Sequence, residues 1–190
     1  MKEKKKLIRL VLCALFAALT VVMTFTPYLG YITVGIIEIT TLHVVVILGA
    51  TILGPKYGAI LGGVWGLTCV MRAFQFGIIP FQNPLVSLVP RIIVGLVAGL
   101  VFYALSKTKC KKPISLALSA FAGTLTNTVL VLSALKISGG FETLFGEAAK
   151  TLEVIIATLI STNGLIELIS AVVVVPAIYL ATEKFFKNKI

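Results

Sequence analysis

The chain has 190 residues, of which 58% are hydrophobic and 13% charged, with a mean hydropathy of +1.08. Soluble domains carry about 25% charged residues, so this composition excludes an ordinary soluble domain and describes an integral membrane protein. The net charge of +10 comes from 17 Lys and Arg against seven acids, all Glu. Thirteen of those 17 basic residues fall in segments assigned below to one membrane side, so topology explains them and no nucleic-acid partner is expected.

A basic cap over residues 1–9 leads into a first helix predicted over 7–26. Residues 10–37 hold no charge and no convincing cleavage pattern, so the helix is expected to be retained rather than removed as a signal peptide. Pro27 to Gly30 break it, and 31–37 reads as a loop rich in Gly and β-branched residues. The second helix, 38–53, is short for a full crossing and stops at Gly54-Pro55. The third, 57–72, carries Gly62, Gly63 and Gly66 on a face where neighbouring backbones can approach closely. A loop follows over 73–84 (AFQFGIIPFQNP), with two prolines, three amides and three phenylalanines.

The fourth helix, 85–106, is long enough to cross a bilayer, yet Arg91 sits inside it directly after Pro90. A mid-membrane arginine costs roughly 2.5–3.5 kcal/mol on insertion scales, so it must face the protein interior, a partner or a ligand. Pro90 lacks a backbone donor and leaves carbonyls free beside that charge. Glu167 is the candidate partner if Arg91 serves only a structural ion pair. After a basic turn at 107–113, the fifth helix spans 114–135 and carries Asn127. The sixth is predicted over 151–182, where Glu167 is the only charge between 154 and 182, with a bend expected at Gly164 or Pro176. The expected fold is therefore a single domain over 1–190, an all-α integral membrane protein of six transmembrane helices. The positive-inside rule places both termini in the cytoplasm.

That topology sets depth. At 1.5 Å per residue, Arg91 lies ~9 Å, His43 ~8 Å and Asn127 ~12 Å below the outer ends of their helices, with Asn163 and Glu167 at ~14–20 Å. Polar groups left unsatisfied in hydrocarbon are costly, so these five side chains on four helices are expected to meet each other or a bound molecule. Gln82, Asn83 and Arg72 lie above them, in or beside the 73–84 loop, as further candidates for ligand contact. Each has a plainer alternative: a core histidine, amides bridging helices, or an arginine snorkelling to the interface.

Absent motifs narrow the class. Residues 49–56 (GATILGPK) miss the phosphate-binding loop, with Pro55 where Gly is needed, and no H-E-x-x-H or G-x-S-x-G occurs. Cys13, Cys69 and Cys110 show no metal-ligand spacing and no disulfide framework. No enzyme, metal or cofactor is expected. Glu167 is the lone acid deep in a helix, so a free-standing carrier coupled to an ion gradient is poorly equipped.

Four stretches, 39–58 (ITTLHVVVILGATILGPKYG), 83–99 (NPLVSLVPRIIVGLVAG), 123–131 (GTLTNTVLV) and 163–170 (NGLIELIS), resemble the substrate-binding S components of energy-coupling factor (ECF) vitamin transporters. The resemblance covers essentially the whole chain. It implies a high-affinity vitamin-binding subunit in a bacterial plasma membrane, working with a scaffold membrane protein and two cytoplasmic ATPases. Ala14 and Ala18 in the first helix look like the small-residue motif by which such proteins dock on that module. The Pro-Arg and Thr-Leu-His segments look most like the pantothenate-type members. Another vitamin such as pyridoxine or riboflavin, or a stand-alone carrier of a small organic anion, stays open at this point.

Overall fold

A computed structural model describes residues 2–34, 37–140, 143 and 164–186. Helix α1 (Lys2–Phe25) is followed by a hairpin of β1 (Tyr31–Val34) and β2 (Ile37–Thr40), then α2 (Leu42–Leu53) and α3 (Pro55–Phe76). Two short helices, α4 (Ile79–Gln82) and α5 (Pro84–Ser87), precede α6 (Val89–Ser106), α7 (Lys112–Ile137) and a last helix, α8 (Leu165–Phe186). Among the described residues, five stretches are long and apolar enough to cross a membrane: α1, α3, the run Pro84–Ser106, α7 and α8. Helix α2, at 12 residues, is shorter. The described chain is thus mostly helical, as composition requires of a membrane protein.

Several helices run a few residues longer than the sequence reading, α1 from Lys2, α7 over Lys112–Ile137 and α8 to Phe186, and three differences go further. First, β1 and β2 pair antiparallel with Tyr31 opposite Thr40 and Val34 opposite Ile37, so α2 begins at Leu42 rather than at 38. The β-branched residues of 31–40 suit a pleated ribbon, and strand pairing claims the backbone groups a longer helix would have used. Thr41 ties the hairpin's base: its N–H donates to the Gly30 carbonyl at 3.0 Å and its hydroxyl to the Leu29 carbonyl at 2.6 Å. Second, α3 continues to Phe76 and ends on Gly77, whose φ of 67° supplies the left-handed cap. Third, the stretch predicted as one helix over 85–106 is broken at Leu88, with α5 before the break and α6 after it. Pro176 sits inside α8 without ending it. The segment 151–163 lies outside the described residues.

Helices α3 and α6 form the tightest pair, and glycine is the reason. A Cβ on Gly58 would run into the Gly95 carbonyl, one on Gly62 into the Arg91 carbonyl, and one on Gly99 into the Pro55 backbone. The two backbones therefore touch in antiparallel register along most of their length, the close approach that small residues permit in membrane bundles. Helix α7 packs on α6 through Ser119, whose hydroxyl donates to the Ala98 carbonyl at 2.7 Å. It meets α2 where Gly123 faces Ile47. The shared core holds Leu42, Val46, Ile47, Leu61, Trp65, Val94, Ala98 and Ala120. The α1 and α8 spans bury less than half the share that α3, α6 and α7 bury, so they flank this centre.

Candidate functional site

Arg91 occupies the first turn of α6, immediately after the break at Leu88. In an unbroken helix the Val86 carbonyl would accept from the N–H four residues on, which is residue 90; proline has none. The Arg91 side chain folds back instead, and Nη1 donates to the Val86 carbonyl at 2.7 Å. Its guanidinium carbon lies 5.3 Å from the Trp65 ring centroid and 6.0 Å from that of Phe81, a cation held against aromatic faces. Arg91 is buried, its Nε has no hydrogen-bond partner, and no ion pair forms between Arg91 and Glu167.

Glu167 turns elsewhere. Its Oε1 accepts from the Thr40 N–H at 2.7 Å, so the carboxylate holds strand β2 to the start of α8. Its backbone carbonyl lies 3.3 Å from His43 Nε2; a carbonyl only accepts, so that nitrogen carries the proton. His43 is fully buried; the Thr40 backbone also approaches the ring, and its Nδ1 closes no hydrogen bond among the described residues.

The packing contacts place these groups at one depth. Ile47 of α2 faces Gly123 of α7 in an antiparallel pair, so His43 and Asn127 lie together one turn further toward the hairpin. Ala98 of α6 contacts Ser119 and Gly123, so Arg91, two turns back along α6, reaches the level of Asn127. Asn127 is buried with Oδ1 unpartnered. The structure thus brings Arg91, His43, Asn127 and Glu167 to a common level on four helices. Asn163 lies outside the described residues.

The candidates in the 73–84 region sit apart from that level. Asn83 Oδ1 accepts from the Leu85 N–H at 3.0 Å and so caps α5, while Gln82 Nε2 donates to the Ala73 carbonyl at 3.4 Å. Arg72 stacks on Tyr31, 4.0 Å from its centroid, and lies 5.0 Å from that of Phe76. The Tyr31 hydroxyl in turn lies 2.9 Å from Cys69 Sγ, pinning the hairpin to α3; burial first, then Cys69, push its pKa up. Ala14 and Ala18 are exposed on α1, about 100° round the helix from Cys13 and Ala17, which pack toward the core.

Two members of the site escaped the sequence reading. Trp65, the single tryptophan, is fully buried against Arg91 with its indole N–H unpaired; the Tyr31 hydroxyl comes near without closing a hydrogen bond. Thr124 is buried with its hydroxyl unpaired, whereas Thr126 in the next turn bonds back to the Ala122 carbonyl at 2.7 Å. Their signal was present in the Gly-rich run 62–67 and in 123–131, but nothing local marks an unpaired side chain.

Among the described residues, five buried side chains with an unpartnered polar atom, Arg91, Trp65, His43, Thr124 and Asn127, thus stand at neighbouring levels on α2, α3, α6 and α7. Buried polar groups in folded proteins are nearly always hydrogen-bonded, so such a concentration marks a place built for something else to complete. A cation, an indole donor, and imidazole, amide and hydroxyl groups that can accept suit a small anion that also carries neutral polar groups.

Comparison with known proteins agrees in class. The chain is 33% identical over 206 aligned positions to the pantothenic acid transporter PanT of Lactococcus lactis subsp. cremoris, covering 99% of this chain and all of that protein. It is 36% identical over 101 positions to the pantothenate transporter PanT of Leuconostoc mesenteroides, covering 49% of this chain and 50% of that protein. Both are transporters, and the multi-pass apolar helices place this chain in the cell membrane. The family model for the ECF transporter, substrate-specific component, matches residues 8–179, and the chain belongs to that family.

Proposed function

We propose that this chain is the pantothenate-binding subunit of an ECF-type uptake system. The observation that carries the reading is Arg91: a buried guanidinium with no carboxylate within ion-pair distance, level with unpaired amide and hydroxyl groups. Pantothenate offers a carboxylate for the cation and hydroxyl and amide groups for the rest. The PanT relatives support the choice of vitamin.

The membrane arrangement follows from the same reading. Helix α2, ~18 Å long, joins the five longer spans as a sixth crossing, lengthened at one end by the hairpin. Both termini then lie in the cytoplasm with Lys56, Lys107, Lys109, Lys111, Lys112 and Lys184, and the hairpin and the α4–α5 segment face outside. All six crossings form one domain. The site opens outward, with Gln82, Asn83 and Arg72 at its rim, and Asn163 adds an amide from the segment before α8. The energising module, a scaffold membrane protein with two cytoplasmic ATPases, docks on the exposed α1 face at Ala14 and Ala18, where small side chains allow close approach.

The test is calorimetry of the purified chain in detergent, without ATP or partners, against a panel of water-soluble vitamins. One tight binder, pantothenate, is expected. Uniformly weak binding across the panel refutes the proposal, and tight binding of a different vitamin corrects the substrate.

A further inference from the structure

The unpaired groups of the site are not a random mixture. On the α3–α6 side stand Arg91 Nε, which can only donate, and the Trp65 indole N–H, also donor-only, with the guanidinium carbon 5.3 Å from the ring. On α7 stand Thr124 Oγ1 and Asn127 Oδ1, three residues apart and so on one helix face. Those two groups are neutral, and each also accepts. Thr124 strengthens the distinction. Other described helical threonines bond back to a carbonyl three or four residues earlier, as Thr20, Thr24 and Thr126 do at 2.8, 2.8 and 2.7 Å and Thr51 and Thr68 at 2.9 and 2.8 Å. Thr124 forgoes that bond while being buried.

We infer that the site is polarised and fixes the orientation of its ligand: the α3–α6 wall, through Arg91 and Trp65, takes the carboxylate, and the α7 wall, through Thr124 and Asn127, takes the hydroxylated end. This rests on the reading of the ligand as a small hydroxylated carboxylate. It assigns Trp65 and Thr124 as specificity-determining residues. A donor-only wall favours an oxyanion and gives nothing to a cation, and the neutral wall exchanges hydrogen bonds with hydroxyls in either sense. A ligand lying the other way round would bring its carboxylate to Thr124 and Asn127 and leave Arg91 facing hydroxyls.

Two variants separate the walls. Trp65→Phe keeps an aromatic ring under Arg91 but removes the N–H together with part of the buried indole; Thr124→Val keeps the branched shape and replaces the hydroxyl by a methyl. Thr124→Val deletes a group that is unpaired in the free protein and should not lower its melting temperature, whereas Trp65→Phe leaves a cavity and should lower it on its own account, so affinity is compared between the two compounds within each variant. Calorimetry is run with pantothenate and with its alcohol analogue, pantothenol, in which the carboxylate is replaced by CH₂OH. Trp65→Phe should weaken pantothenate about 10-fold, the range of a charge-assisted hydrogen bond, and leave pantothenol little changed. Thr124→Val should weaken both compounds alike, by about 3- to 10-fold, since both carry the hydroxyls. If Trp65→Phe does not fold, Arg91→Gln replaces it with the same expected asymmetry.

Equal losses on both compounds for the α3–α6 variant, or a Thr124→Val loss confined to pantothenate, overturn the orientation. So does unchanged affinity in both variants. If the wild-type chain binds neither compound, the ligand reading fails and the inference falls with it. Binding by the wild type with the wrong pattern refutes the orientation alone.

Discussion

Replacing Arg91 with alanine distinguishes a ligand-reading arginine from a structural one by its effect on stability. Within the fold, Arg91 makes one hydrogen bond to a protein acceptor, to the Val86 carbonyl at 2.7 Å, and no ion pair with Glu167. Its removal leaves that carbonyl unsatisfied, a cost of about 1–3 kcal/mol. Had Arg91 been the counter-charge of a buried Glu167, removal would strand a carboxylate and cost ~3–5 kcal/mol, and Glu167→Gln would restore much of it. Arg91→Ala should therefore stay folded and monodisperse in detergent, with a modest drop in melting temperature that Glu167→Gln does not repair. Affinity should suffer far more. Two charge-assisted hydrogen bonds to a carboxylate, at ~1.5–3 kcal/mol each, correspond to a loss of about 100- to 10,000-fold in pantothenate binding by calorimetry. A variant that unfolds and is rescued by Glu167→Gln, or one that binds pantothenate normally, refutes the reasoning.

The glycine contact between α3 and α6 carries its own control: Gly62→Ala drives a methyl into the Arg91 carbonyl and should destabilise by ~1–3 kcal/mol or more, while Gly63→Ala meets only Ile92 Cγ1 at 3.7 Å and should be neutral or stabilising in a thermal-shift assay. Glu167→Leu removes the acceptor of the Thr40 N–H, and hydrogen exchange at Thr40 should accelerate by roughly 5- to 150-fold, whereas Glu167→Gln, which keeps an acceptor oxygen, should not; equal exchange in both variants would show that the carboxylate does not hold the hairpin. Ala18→Trp adds bulk to an exposed face of α1 remote from the polar cluster, so pantothenate affinity should persist while uptake by cells expressing the whole complex is lost; a parallel fall in affinity and stability would place Ala18 inside the bundle instead.

What could be read from the chain alone tracks what is local. Hydropathy located five spans of the described chain because a helix in lipid must be apolar along its length, and Arg91 stood out because a charge there has no inexpensive explanation. Pro90 even pointed to the carbonyl that Arg91 now serves, since a missing N–H is visible in sequence. The hairpin was missed although 31–40 is rich in β-branched residues, because two four-residue strands look like loop until their pairing partner is known. Glu167 was read as an ion-pair candidate on charge alone; its bond to the Thr40 N–H depends on a strand whose existence was not anticipated. Trp65 and Thr124 were illegible for a deeper reason. Whether a buried donor is satisfied is a property of every neighbour at once, and no window of sequence contains those neighbours.

That accounting also ties the fold to its task. Each buried polar group without a partner costs about 1–3 kcal/mol, so the cluster on α2, α3, α6 and α7 weakens the free protein, and packing elsewhere must offset it. The α3–α6 contact is the element suited to do so. Its glycines bring two backbones together at the level of Arg91, where Gly62 faces the Arg91 carbonyl, and so hold the arginine's backbone in place. A ligand that satisfies those groups then stabilises the folded state by mass action, about 4 kcal/mol at a thousandfold excess over its dissociation constant. The melting temperature of the wild-type chain should consequently rise steeply with pantothenate, and that rise should shrink in every variant that removes one of the unpaired groups.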